Sequence, residues 1–267
     1  MTQLTDIIGR LDFEGETFEP GHVWLAGAGP GGLGCLTLAV IAALGAADAI
    51  VYDALVDPAV LEAGSGERHF VGKRAGQPSV SQEAINALII KLARQGKRVL
   101  RLKGGDPNIF GRGGEEAFAL ARVGVPFRFL PGITSGLGAL SQASIPATMR
   151  GVNKAIILAT GHAAGSDDDL DWRALAQTGQ PMVIYMGLRN LPTIVAALIS
   201  GGLASETPAA ILVAASTADE RVLVADLGSI VARAEVERVA APALIVVGEI
   251  VARRAELASI LQLGEAS

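Results

Sequence analysis

The chain reads as an α/β protein of two domains, the first built on a parallel-rich sheet. Three observations predict this. Short apolar runs rich in β-branched residues alternate with helix-period runs, the pattern of a sheet covered on both faces. Of the 267 residues, 50% are apolar and 18% charged, a balance that buries a sizeable core and excludes wholesale disorder. A Pro and a Gly in "SIPATMRGVN" break the alternation before a new strand, "KAIILATG", begins. The division that follows is an N-terminal extension over 1–20, a first domain over 21–145 and a second over 146–267.

Taken in order, strands are predicted at 22–28, 49–55, 68–72, 98–103 and 126–130, with helices between most of them. The clearest helix is "SVSQEAINALIIKLARQG". Its Ile85, Leu88, Ile89 and Leu92 fall at i, i+3, i+4 and i+7; Ser79 with Gln82 can form a capping box, and Gly96 supplies the stop. Beyond the junction, strand-like runs recur at 181–186, 208–215, 221–225 and 242–248, with helices at about 190–199 and 252–262. No internal repeat of 20–50 residues is visible.

A net charge of -5 argues against a general affinity for nucleic acid or anionic membrane. The one cysteine, Cys35, permits no internal disulfide and leaves too few thiols for a zinc or iron–sulfur site, so it reads as a small buried apolar residue. No charge occurs from Val23 to Ala47, but Pro30 and six glycines break that run, which suits a strand, a loop and a helix better than a membrane span. The first 21 residues lack a basic start and an apolar h-region. No signal peptide is expected, and a soluble, cytoplasmic protein is.

Gly27-x-Gly29-x-x-Gly32, followed about twenty residues on by Asp53, has the form of a dinucleotide-binding fingerprint. It also fits a tight strand–helix turn with no ligand. Three further Gly-rich loops, "GKRAG" (72–76), "RLKGGDPNIFGRGGEE" (101–116) and "PGITSGLGAL" (131–140), each follow a predicted strand. Four such loops look built to wrap a ligand from several sides, and no second dinucleotide motif accompanies them. The stretch 68–103 also holds nine Lys or Arg and one acid, Glu83, a local basic block in an acidic chain.

In order along the chain come the first glycine loop, Tyr52-Asp53-Ala54-Leu55-Val56, "GKRAG", "RLKGGDPNIFGRGGEE", "PGIT", "TGH" and "YMGL". This series resembles the S-adenosylmethionine-dependent tetrapyrrole methylases, the uroporphyrinogen-III C-methyltransferases among them, from Gly21 to about Val251. The resemblance implies the two-domain tetrapyrrole methylase fold, with a mixed second α/β domain, an active site in the cleft between domains, and a homodimer. It implies two successive methylations of uroporphyrinogen III, at C2 and C7 of rings A and B, giving precorrin-2, with S-adenosyl-L-methionine as donor and no metal. Two other readings stand beside it: a sister methylase acting on a later precorrin, and a dinucleotide-dependent oxidoreductase.

Carried over by motif, Asp53 resembles the family's proton acceptor and Lys73 its proton donor. Asp53 can equally cap a helix or pair with a loop cation, and Lys73 can simply bind a substrate carboxylate. Pro30, Gly104, Gly105, Asp106, Ile109, Thr134, Ser135, Met186 and Ala215 match the positions that line the methyl donor, Ala215 standing where relatives often have glycine. Asp106 before Pro107 also reads as a plain turn residue. The substrate bears eight carboxylates, for which Arg74, Arg101, Lys103, Arg112 and Arg150 are the candidate partners, while Lys91, Arg94, Lys97 and Arg98 read as a solvated helix face and end. Three positions depart from the pattern: Gly32 for an aspartate, Asn108 for an aromatic, and Met149 for a histidine. His162 reads as structural.

Overall fold

The structure is a computed structural model that describes residues 17–72, 80–162, 165 and 169–265, with side chains to residue 260. Lys73, Arg74 and Ser79 lie outside the described residues. Two compact units divide the chain, Met1–Thr134 and Ser135–Ser267.

The first unit holds five parallel strands, β1 (Val23–Gly27), β2 (Ala49–Tyr52), β3 (Glu67–Phe70), β4 (Val99–Lys103) and β5 (Phe127–Leu130), in the order β3-β2-β4-β1-β5. Between them run helices α1 (Leu38–Ala46), α2 (Pro58–Glu62), α3 (Gln82–Arg94) and α4 (Gly113–Arg122). The period of two in the strands sorts the core into two layers. Trp24, Ala26, Ile50, Leu100 and Leu102 pack with Val40, Leu44 and Val60 of α1 and α2. Val23, Leu25, Val51 and Val99 pack with Ile85, Ile89, Leu92 and Leu120 of α3 and α4.

Local signals explain where the helices start and stop. Thr37, Asp57 and Ser81 each accept a hydrogen bond from the first turn of the helix they precede. The cap of α3 is thus Ser81, whose hydroxyl accepts from Ala84 N–H at 3.2 Å, and not the expected Ser79. Its stop follows the sequence: Gly96 takes φ +77, and Gly96 and Lys97 N–H groups donate to Ala93 and Leu92, closing a Schellman motif. The expected extension is shorter than 1–20, because Phe18 is already core, its ring stacked on Trp24 at 4.2 Å.

The second unit holds β6 (Ile157–Thr160), β7 (Met182–Tyr185), β8 (Pro208–Val213), β9 (Arg221–Asp226) and β10 (Ala243–Val247), in the order β6-β7-β10-β8-β9. Only β6 and β7 run parallel, and the remaining pairs are antiparallel, so this sheet is mixed. Its helices are α5 (Ser135–Gln142), α6 (Trp172–Gln177), α7 (Leu191–Ser200), α8 (Ile230–Val236) and α9 (Ala252–Glu265). Trp172, Ile194, Leu198 and Ile230 pack on Ile184, Ile211 and Ile245 of the strands. The units part at 134–135 and not at 145–146, since α5 belongs with this sheet: Gly136 N–H donates to the Tyr185 hydroxyl of β7. The proline–glycine stretch that suggested a junction is instead a loop inside the second unit.

Glycines at the strand ends allow backbone to touch backbone. A Cβ on Gly27 would lie 2.4 Å from Gly105 O and 2.7 Å from Gly132 Cα, and one on Gly132 would lie 2.3 Å from Gly105 O. Gly29 has φ +72, and a Cβ there would lie 2.5 Å from Cys35 Cβ. Gly32, the last member of the fingerprint, differs: its φ is -73, and a Cβ there would meet nothing closer than Asp57 Oδ2 at 3.7 Å, an ordinary contact. The first two glycines are demanded by packing and the third is not.

Gly27→Ala and Gly132→Ala should each lower unfolding free energy by at least ~1–3 kcal/mol in denaturant titrations, the scale of overpacking, whereas Gly32→Ala should leave the midpoint unchanged. A second expectation concerns acid. Asp48 accepts from the Arg98 backbone N–H and twice from its guanidinium, and these bonds lower its carboxyl to about 2. A depressed native pKa stabilises above the unfolded value of 3.8 and is lost as pH falls toward about 2. The stability gap between the protein and its Asp48→Asn variant should therefore be present at pH 5 and close below pH ~4. That gap is small, because the pair is over a third exposed and solvent screens it.

Candidate active site

In a parallel sheet, ligands bind outside the carboxyl ends of the strands where neighbouring connections diverge. Here the chain leaves β2 outward to β3 and leaves β4 the opposite way, past β1 to β5. The divergence falls between β2 and β4, at Asp53 and the Gly104–Gly105 loop.

Asp53 follows β2 with its side chain 26% exposed. One carboxylate oxygen accepts from Leu55 N–H at 3.1 Å, and the other lies 3.7 Å from Arg101 Nη2. Asp53 thus caps a turn and not a helix, and its cation, Arg101, belongs to a strand and not to a loop, while the carboxylate still reaches solvent. Gly104 lies against Leu55 of the same turn, which a Cβ would meet at 2.7 Å. Gly105, at φ +71, exchanges backbone hydrogen bonds with Gly29 at 2.8 and 3.1 Å, tying the loop to Pro30 and its neighbours. Asp106 is a turn residue: Oδ1 accepts from Asn108 N–H at 2.8 Å and Oδ2 from Gly132 N–H at 3.0 Å. Its carboxylate thus joins the loops after β4 and β5, and Ile109 N–H closes the same turn on its carbonyl.

Arg101 and Lys103 do not stand at the rim as expected. Both sit within β4 on the face of Val99, 2% and 4% exposed, under α4. The period of two explains it: a cation every second residue beside a buried valine points into the helix-covered layer. Their charge is met by Glu116, fully buried on α4. One oxygen, Oε1, accepts from Arg101 Nε at 3.0 Å, Lys103 Nζ at 3.1 Å and Gln82 Nε2 at 3.2 Å, while Oε2 has no hydrogen-bond partner among the described residues. Burial holds the Lys103 ammonium below its ordinary range, Arg101 pushes the same way, and Glu116 opposes both. As carboxylate grips for a bulky ligand, Arg101 and Lys103 are excluded by this burial; they form the internal support of the Asp53 strand end.

Of the other candidate cations, Arg112 is exposed and pairs in bidentate fashion with Glu115 at 2.7 and 2.8 Å, which raises its pKa further. Arg150 is exposed. In the second unit Met186 is 50% exposed at φ +54, and Ala215 lies between Ala214 at φ +46 and Ser216 at φ +66. Phe110 and Arg112 add φ values of +52 and +59. Non-glycine residues in this region cost on the order of 1–3 kcal/mol each and gather where ligands are handled. Thr134 is buried, Ser135 starts α5, and His162 is exposed.

Sequence reasoning passed over Glu116. Its signal was present: Arg101 and Lys103 share a strand face with Val99, so a partner acid had to come from the covering helix, where Glu116 stands beside buried Ala117 and Leu120. Among the described residues no group of three His, Cys, Asp or Glu could hold a metal ion, and no helix is long and apolar enough to cross a membrane.

A wound parallel sheet with glycine-bounded loops at its carboxyl ends, followed by a mixed sheet, defines an α/β fold of the kind that binds ligands at strand ends. The chain matches the family model of Tetrapyrrole (Corrin/Porphyrin) Methylases over residues 22–231, and it belongs to that family. The siroheme synthase of Azotobacter vinelandii is 46% identical over 89% of this chain, and siroheme synthase 1 of Yersinia pseudotuberculosis 46% over 91%. The match takes in 52% and 51% of those proteins, so the chain spans about half of their length. A solved uroporphyrin-III-C-methyltransferase from Thermus thermophilus is 39% identical with TM-score 0.76, covering 89% of this chain and 98% of that one. A structure of the Thermus enzyme complexed with S-adenyl homocysteine is 38% identical with TM-score 0.75, covering 86% and 98%.

Glu116→Gln keeps volume and removes the charge that two buried cations share. Breaking a buried pair typically costs ~3–5 kcal/mol, and a loss of that size is expected in urea titrations. Glu115→Gln, at the exposed pair next door, should cost under ~1 kcal/mol.

Proposed function

We propose that the chain is a uroporphyrinogen-III C-methyltransferase that uses S-adenosyl-L-methionine to methylate C2 and C7 in turn, giving precorrin-2. The observation that carries this is the 39% identity to the Thermus methyltransferase over 98% of that enzyme's length. The half-length match to siroheme synthases supports the same chemistry, in a methyltransferase portion of such proteins.

The residues present suit a nucleoside-bearing methyl donor. The half-buried Gly104 and the buried Gly105 bring main chain without side chains to the strand end, Ser135 offers a hydroxyl, and the exposed Met186 offers a polarizable apolar face. The bound donor supplies an electrophilic methyl carbon on a sulfonium. A pyrrole carbon takes that methyl as the carbon–sulfur bond breaks, and the alkylated ring then sheds a proton. Asp53, accessible at the end of β2, is the proposed acceptor of that proton. Lys73 keeps the proton-donor role carried over with its motif, a role that the methyl transfer itself does not draw on, and Arg74, Arg112 and Arg150 are the proposed holders of substrate carboxylates. A homodimer in the cytoplasm completes the proposal.

The test is anaerobic incubation with uroporphyrinogen III and labelled S-adenosylmethionine, with mass analysis of the tetrapyrrole. Two added methyl groups are expected, and none would refute the reading. Asp53→Asn should lower kcat by about 10²-fold, the usual worth of a general base, with the Kd for S-adenosylhomocysteine unchanged. An undiminished kcat removes Asp53 from that role.

A further inference from the structure

Two segments of the second unit carry proposed donor contacts, Met186 after β7 and Ser135 at the start of α5. A side chain with no role in the proposal so far joins them. Tyr185 ends β7 directly before Met186, and its hydroxyl accepts a hydrogen bond from Gly136 N–H at 2.8 Å. Gly136 is the second residue of α5, adjacent to Ser135 and two beyond Thr134. Its N–H is one of the first four in a helix, which have no partner within the helix itself.

The contact is shaped from both sides. A Cβ at position 136 would stand 2.3 Å from the Tyr185 hydroxyl, 2.9 Å from its Cζ and 3.0 Å from Val183 Cγ1, so glycine alone admits the ring. Tyr185 is 8% exposed and pairs with Thr160 of β6 on one side and Leu244 of β10 on the other, which fixes its place along the sheet. Gly187 on the far side of Met186 is packed as closely: a Cβ there would meet Ile245 Cδ1 at 2.9 Å. Met186 thus sits at φ +54 between two closely packed neighbours, one of which also accepts from the first turn of α5.

We propose that Tyr185 is a positioning residue for the methyl donor. Its hydroxyl holds the start of α5, with Ser135, in fixed relation to the Met186 turn, so that donor binding orders neither segment anew. A preorganised surface of this kind raises affinity by removing the entropy cost of ordering. The inference rests on the donor assignment of these residues made above.

The test is calorimetric titration of S-adenosylhomocysteine into the full chain and into its Tyr185→Phe variant, with the thermal midpoint and kcat at saturating donor measured alongside. The variant's Kd should rise about tenfold, the scale of one buried donor left unmet, while kcat with uroporphyrinogen III stays within about twofold. Gly136→Ala, which forces the same contact apart from the helix side, should raise Kd likewise. A purely architectural tyrosine would lower the thermal midpoint and leave Kd where it was, and an unchanged Kd in either folded variant overturns the inference while the proposed function stands. Failure of the unaltered protein to bind S-adenosylhomocysteine would remove both.

Discussion

Three glycines set the geometry on which the first unit's strand ends depend. Gly27, Gly105 and Gly132 come from the end of β1 and from the loops after β4 and β5, and their backbones approach to distances that exclude a Cβ at Gly27 and at Gly132. The approach lets Gly29 and Gly105 pair across the loops and brings Gly132 N–H within reach of the Asp106 carboxylate. Separate loops become one hydrogen-bonded surface. The same rule recurs in the second unit, where a Cβ on Gly161 would lie 2.6 Å from Gly187 Cα and Gly136 admits Tyr185. Glycine-rich signatures here are first a packing requirement, and any ligand cradle is built on top of it.

Beneath that surface lies a buried ionic cluster that a hydrophobic layer would replace more cheaply. Taking Arg101, Lys103 and Glu116 out of water costs several kcal/mol per ion, repaid only through close pairing. Glu116 uses one oxygen for three donors and, among the described residues, leaves the other unsatisfied, an arrangement far from the best for stability alone. What the cluster supplies is a rigid positive field beneath the end of β2, where Asp53 lies 3.7 Å from Arg101. A carboxylate proposed to take a proton sits beside a cation that cannot move away.

Much of this was legible along the chain. The five strands of the first sheet fall within three residues of their predicted ends; β1 and β2, buried nearly throughout, read as unbroken apolar runs, while the edge strands β3 and β5 mix charged and apolar residues. The family was readable in the ordered motifs from Asp53 to "YMGL", and the model match over 22–231 agrees. Local chemistry named the stop of α3 at Gly96. It named the wrong cap, since Ser79 and Ser81 both precede the same turn and only the folded backbone selects between them.

Side-chain type and spacing were enough to announce strands, helices, loops and kinship, since those depend on neighbours within a few residues. Direction and partnership were decided by packing across the sheet. Arg101 and Lys103 looked like ligand grips until β4 was placed between β1 and β2, and the covering helix claimed both for Glu116. Asp106 became a loop clasp only when Gly132, 26 residues on, arrived beside it. Gly136 and Tyr185 stand 49 residues apart, and nothing near either one predicts that a hydroxyl and an amide will meet. Such contacts are set by which strands lie side by side, a property of the sheet as a whole.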